Sequence, residues 1–303
     1  MKQAPILLMT YIRADNTFKI LNILKKTNQR NIFLFNDGLI GKKDKLHHEA
    51  FRKRIINYKK QNNITVILPK KNLHHRYAQP YALEKVFKKF PNVIVLEDDT
   101  IPNKSFFKFC NELLIKFKDD KRISIISGNN FLNHRKFKRR NNDSYFFSKF
   151  TTTWGWATWK DRWKDSFDIK MKKWPNVKRE GWMKDILLNE KSEKFLSKYI
   201  DRRFKLIDKD WDRAWQFANL INGRLTIFPN KNLITSVGQD EFATHKNAKK
   251  WDRLPLEEMG FPMKHPGVIV ADNKVDNFLT KEGFSNPDII YRLKNKLKKY
   301  LLL

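Results

Sequence analysis

Apolar and polar positions alternate along the first half of the chain in two different periods. Short apolar runs at Ile6–Tyr11, Asn31–Phe35, Ile64–Leu68, Val93–Leu96 and Ile123–Ile126 read as strands. Between them apolar residues recur at helical spacing: Phe18, Leu21 and Leu24; the basic amphipathic stretch Lys45–Lys59; Leu83, Val86, Phe87 and Phe90 within Tyr81–Phe90; and Phe106–Phe117. Strand and helix repeated this way predict an α/β fold with a mostly parallel central sheet and helices on both faces. Such sheets bind ligands beyond the carboxyl ends of their strands. Three places are thereby selected: Arg13–Asp15, Asn36–Gly38 and Glu97–Asp99.

The second half reads differently. All nine tryptophans lie between Trp154 and Trp251. No linker rich in proline, glycine or serine separates the halves, and no repeat is visible. The expectation is one continuous fold: residues 1–143 carry the sheet, residues 144–250 form a Trp-rich wall over its carboxyl edge, and residues 251–303 are a C-terminal extension.

Composition narrows the function classes. Of 303 residues, 41% are apolar and 14% aromatic, so the chain can bury a core and is not predominantly disordered. One cysteine, Cys110, excludes an intrachain disulfide or a cysteine metal cage. No run approaches the length that spans a bilayer, and the apolar opening ends at Arg13 and Asp15 without a cleavage site. It reads as a first buried strand of a cytoplasmic protein. The net charge of +31 suits anionic company, whether phosphorylated substrates, nucleic acid or an anionic membrane. The lysines are spread along the chain, however, and most read as solvated faces.

The strongest chemical signal is Glu97-Asp98-Asp99 at the end of a buried strand. Alternation places Glu97 and Asp99 on one face and Asp98 on the other. Three adjacent negative charges repel, and a hard divalent ion such as Mn²⁺ or Mg²⁺ relieves them while leaving positions for phosphate oxygens. Asp99, nearest the crest, is the candidate metal ligand. Asp37, in Asn36-Asp37-Gly38, can accept a hydrogen bond from a base or ribose, with Gly38 allowing close backbone approach; a plain Asx turn explains the segment equally well. Arg13 can stack on a base or balance a phosphate. In Trp154-Gly155-Trp156 a glycine between indoles suggests a loop against a flat sugar face, whereas Trp159 and Trp163 read as the buried stripe of a following helix. Asp210-Trp211-Asp212 opens an amphipathic helix running to Leu220, and either aspartate can be a general base or a helix-dipole partner. His245, after Gln239-Asp240-Glu241, is a further candidate for a metal or phosphate contact.

These segments, in this order, resemble the GT-A-fold glycosyltransferases that use nucleotide sugars. The chain is most similar to the group containing N-acetylglucosaminyltransferase I and to bacterial sugar transferases of polysaccharide gene clusters that carry the same Trp-Gly-Trp segment. The resemblance runs from about Ala4 to His245. It takes in Arg13, Asp37, Tyr81-Ala82-Leu83, Glu97-Asp98-Asp99, Ser127-Gly128-Asn129-Asn130, Gly155-Trp156, Trp211-Asp212 with Trp215, and Gly223-Arg224. It implies a Rossmann-like sheet whose first half, residues 1–143, binds the nucleotide sugar, and whose residues 144–250 face the acceptor. Arg13 and Asp37 would hold uridine, Asp99 would coordinate the metal, and Glu97 and Asp98 would contact ribose or metal-bound water. Asp212 would be the catalytic base, with Asp210 as alternative. Trp154, Gly155, Trp156 and Trp211 would meet the sugar or acceptor. Two departures stand out: the family's histidine contact to the base falls near Ala78, with His74 and His75 only nearby, and the Trp211–Trp215 spacing differs.

The resulting expectation is a metal-dependent inverting transfer of sugar from a nucleotide sugar, with UDP as the expected nucleotide, to a surface-polysaccharide or lipid-linked saccharide. A basic nucleic-acid-binding protein and a non-catalytic carbohydrate-binding relative are the alternatives; nucleic acid is not the expected partner, because the tryptophans accompany acids and glycine. Ile290, Leu293, Leu297 and Leu301 line one face of a lysine-rich terminal helix, which suits peripheral contact with an anionic membrane or packing on the protein itself.

Overall fold

A computed structural model describes residues 3–132, 137, 141–187, 189–207, 210–238 and 253–281. His245, Trp251 and the terminal amphipathic segment lie outside these residues.

The first half alternates as the periodicities predict: β1 (Ile6–Thr10), α1 (Ala14–Lys26), β2 (Ile32–Asn36), α2 (Lys45–Gln61), β3 (Ile64–Ile67), α3 (His74–Phe87), β4 (Asn92–Glu97), the short β5 (Thr100–Pro102), α4 (Lys104–Lys116) and β6 (Ile123–Ser127). The second half adds β7 (Tyr145–Ser148), β8 (Trp156–Trp159), α5 (Lys160–Ser166), α6 (Trp174–Glu180), α7 (Met183–Leu187), α8 (Glu190–Phe204), α9 (Asp212–Ile221), β9 (Leu225–Pro229), β10 (Ile234–Ser236) and α10 (Asn273–Leu279). Among the described residues no helix is long and apolar enough to cross a membrane.

Eight strands form one sheet in the order β3-β2-β1-β4-β8-β6-β9-β7. Only β8 and β7 run against the rest, so the sheet is mixed but mostly parallel. Side-chain alternation divides the core. Ile6, Leu8, Leu34, Ile94 and Leu96 point to the face covered by α1, α2 and α4. Leu7, Phe33, Phe35, Val93 and Val95 point to the opposite face, under α3, α5 and α9. A third cluster, including Trp174, Ile200, Phe217, Phe228 and Val275, joins α6 to α10 beside the sheet. Each such side chain contributes about 1.5–3 kcal/mol when fully buried.

The register aligns the carboxyl ends. Thr10 pairs with Asn36, and Met9 pairs with Glu97, so the chain leaves β1, β2 and β4 side by side. Two hydrogen bonds carry the alignment past the strands: Asp37 N–H donates to the Thr10 carbonyl at 3.1 Å, and Asp98 N–H to that of Met9 at 3.0 Å. Arg13–Asp15, Asn36–Gly38 and Glu97–Asp99 therefore share one edge of the sheet.

Three local readings need correction. α3 begins at His74, seven residues before the predicted start at Tyr81, and it includes Pro80 within its length. An interior proline forfeits its own N–H bond and crowds the carbonyl four residues earlier, a cost that the packing of this face offsets: Ala78, Ala82, Leu83 and Val86 are all buried. Trp156 stands on β8, between β4 and β6, not on a loop. Trp159 closes the same strand, and of the predicted helical stripe only Trp163 lies on α5.

Candidate active site

The acidic run turns at the crest of β4. Thr100 Oγ1 accepts from Glu97 N–H at 2.8 Å and donates to the Glu97 carbonyl at 2.9 Å, closing the turn across Asp98 and Asp99. β5 then pairs antiparallel with β10. Val237 N–H donates to the Asp99 carbonyl at 2.8 Å, and a Cβ on Gly238 would strike the Asp99 carboxylate. β10 thus forms a wall against Asp99 that no local pattern announced; the glycine ahead of Gln239-Asp240-Glu241 was the only hint.

Asp98 faces β1. One carboxylate oxygen accepts from Tyr11 N–H at 3.0 Å and the other from Arg13 Nη1 at 3.0 Å. The same guanidinium nitrogen lies 3.6 Å from Asp99 Oδ2. Burial and the Asp99 charge push Asp98 up to about 6, against the pull of Arg13. Arg13, at the N-cap of α1, is therefore an internal counterion rather than an open platform for a base.

Glu97 is pushed well above the usual carboxylate range by burial first, then by the charges of Asp99, Asp98 and Asp212. That ordering reveals an arrangement invisible in sequence: Asp212, from α9, lies within electrostatic reach of the acidic turn. Its helix is anchored by Trp211, which is 1% exposed, stacks on Trp156 with ring centroids 5.4 Å apart, and meets His75 at 6.5 Å. Trp156 is itself fully buried. Both indoles accordingly act in this structure as core supports, in place of the predicted sugar-facing surface. Trp154 is half-buried and packs edge-on against Phe131 at 5.5 Å.

Gly155 takes φ +61, and a side chain there would strike Ile234 of β10. Its backbone closeness serves the β5–β10 wall, and its carbonyl accepts from Gly128 N–H at 2.8 Å. Gly38 is similar: a Cβ would collide with the Lys71–Asn72 backbone, which passes directly over it. Asp37 Oδ1 accepts from Gly38 N–H at 2.8 Å and Leu73 N–H at 2.9 Å, tying that passing segment to the end of β2. Burial raises Asp37 while these N–H groups lower it. His48 and Arg52 of α2 engage its carbonyl.

Asp210 and Asp212 have different surroundings. Asp210 lies between two guanidiniums, with Oδ2 2.9 Å from Arg213 Nε and Oδ1 3.6 Å from Arg203 Nε. Asp212 is half-buried, and its Oδ1 accepts from Arg213 N–H at 3.0 Å.

No family model and no curated protein matches the chain. Among solved structures it is similar to the mannosyltransferase PcManGT from Pyrobaculum calidifontis in complex with GDP-Man and Mn²⁺, at 9% identity and TM-score 0.37, over 55% of this chain and 47% of that one. It is also similar to the galactosyltransferase LgtC in complex with donor and acceptor sugar analogs, at 13% identity and TM-score 0.36, over 96% and 99% of the two chains. The chain spans about half the length of the mannosyltransferase, and likeness of this degree transfers neither activity nor ligand.

Proposed function

We propose that the chain is a glycosyltransferase that moves a sugar from a nucleotide sugar, with UDP as the nucleotide, to a hydroxyl of a saccharide acceptor. A divalent cation assists, and the anomeric centre inverts. One observation carries the reading: the register brings the Glu97-Asp98-Asp99 turn, Arg13 and Asp37 to one edge of the sheet, with the charge of Asp212 on α9 acting on Glu97.

The residues fit a hard divalent ion. The donor set is all oxygen, and burial together with its mutual repulsion already raises Glu97 and Asp98. The Asp99 side chain keeps 25% of its surface exposed. Among the described residues no three His, Cys, Asp or Glu side chains are placed to hold an ion alone. Asp99 would thus be one anchor, with diphosphate and water oxygens completing the shell, as is usual for Mg²⁺. Bound there, Mn²⁺ or Mg²⁺ supplies positive charge where the leaving diphosphate becomes more negative.

The protein's own groups do the rest. Arg13 adds a fixed cation beside the same position. Asp37 offers a carboxylate to ribose or base. Asp212 takes the proton from the attacking hydroxyl, and a single base opposite the leaving group predicts inversion, by analogy with inverting hydrolases. Surface polysaccharide or lipid-linked saccharide at an anionic cytoplasmic membrane face is the acceptor class that the charge of +31 favours. His245 remains a candidate second metal contact.

A thermal-shift panel of nucleotide sugars with and without Mn²⁺ tests this. A ligand at a hundred times its Kd adds about 2.7 kcal/mol. A rise confined to a uridine diphosphate sugar plus Mn²⁺ is expected; no response to any nucleotide sugar overturns the reading.

A further inference from the structure

The two aspartates flanking Trp211 divide one task between them. The Asp210 side chain is 12% exposed and lies between Arg203 Nε at 3.6 Å and Arg213 Nε at 2.9 Å. Arg203 is 1% exposed, donates to the Asp210 carbonyl through Nε, and reaches the Ile169 carbonyl through Nη2 at 3.2 Å. Arg213 lays its guanidinium over the Tyr199 ring, 3.6 Å from the centroid, and its backbone N–H holds Asp212 Oδ1 at 3.0 Å. Arg203 and Tyr199 belong to α8, and Arg213 to the first turn of α9. A carboxylate with one oxygen turned to each guanidinium is poorly placed to receive a substrate proton. It is well placed to fix where α9 begins.

We propose that Asp210 is a positioning residue, binding the end of α8 to the start of α9 through Arg203 and Arg213 and thereby setting the Asp212 carboxylate beside the acidic turn. The proposal rests on the reading of Asp212 as base. Breaking the clamp leaves the groups assigned to the donor, at or just past the ends of β1, β2 and β4, in place but lets Asp212 drift. Misplacement by about 1 Å in a reacting group costs on the order of a hundredfold in rate.

The experiment compares Asp210→Asn, Asp210→Glu, Asp212→Asn and Tyr199→Leu in the full chain, with the nucleotide sugar and Mn²⁺ found by thermal shift. Expected for Asp210→Asn is a kcat lowered about 10- to 100-fold with donor KM within about twofold, partly restored in Asp210→Glu. Tyr199→Leu, which removes the platform under Arg213 and keeps an apolar side chain, shows the same split to a lesser degree should Asp210→Asn not fold. A crystal structure of Asp210→Asn, or of Tyr199→Leu in its place, is expected to show Arg213 off the residue-199 position and Asp212 displaced. Wild-type kcat, or an unmoved Asp212, overturns the clamp. Inactive Asp210→Asn alongside active Asp212→Asn makes Asp210 the base and overturns both readings. If no nucleotide sugar is turned over, the functional reading fails, and the position of Asp212 in the variant structure alone decides the clamp.

Discussion

Arg13 Nη1 lies 3.0 Å from Asp98 Oδ1, with 14% and 7% of the two side chains exposed. Two segments 85 residues apart thus meet as a buried ion pair at the crest of the sheet. Breaking such a pair from one side leaves an uncompensated charge behind, which is costlier than the pair is favourable.

Arg13→Met should therefore destabilise the fold by about 3 kcal/mol at pH 8. Asp98 already sits at about 6, held down by Arg13, so losing the arginine raises it further. Above that range the variant carries a buried, unpaired carboxylate; below it the carboxyl is neutral. Urea melts should show the deficit large at pH 8 and much smaller at pH 5. A pH-independent deficit would show that packing, not charge, is the arginine's contribution.

Asp212→Asn should lower sugar transfer by about 10²- to 10⁴-fold, the usual worth of a general base. Donor affinity, measured by calorimetry with Mn²⁺ present, should stay within a factor of about two, because the role assigned to residue 212 is toward the attacking hydroxyl and not the donor. Turnover near wild type would remove Asp212 from the chemistry.

Gly38→Ala should cost about 1–3 kcal/mol, since the added methyl meets Lys71 and Asn72 backbone rather than a pliable side chain. Thermal melts report the loss, and Gly41→Ala serves as contrast: nothing lies within 4 Å of a Cβ there, though its φ of +100 strains the substitution by a different route.

Asp276 gives a pH signature with the opposite slope to an ordinary ion pair. It accepts from Ser148 Oγ at 2.5 Å and Lys149 N–H at 3.1 Å, yet burial lifts it to about 6. Its folded value stands above the unfolded one, so the native state holds the proton more tightly, and stability falls as pH rises through about 4 to 6. Relative to Asp276→Asn, the wild type should gain about 2 kcal/mol between pH 7.5 and pH 4.5 in denaturant titrations. An unchanged difference would place the carboxylate's cost elsewhere.

The strand ends were legible because each follows an apolar run and parallel register does the aligning. Thr10 opposite Asn36 and Met9 opposite Glu97 follow from counting along runs that the eye can find. α3 was truncated at Tyr81 because Pro80 reads locally as a stop, whereas the buried face that sustains the helix depends on strands elsewhere. Trp156 resembled a sugar platform because a glycine beside an indole is ambiguous: the same closeness serves Ile234 as well as a ligand. The pairing of Arg13 with Asp98, and of Arg203 with Asp210, left no local trace, since each joins elements through space, whereas Asp210 and Arg213 stand only three residues apart.

β8 enters the sheet backwards, hydrogen-bonded to β4 through Val93–Val95 on one side and to Ile126 and Ser127 on the other. A fragment ending near residue 143 would keep the acidic crest but strip the flank of its most apolar strand, and bare flanks of that kind recruit other chains. Genetic dissection of the first half is therefore expected to yield aggregates, and only chains carrying the tryptophan-bearing insert can report on what the crest binds.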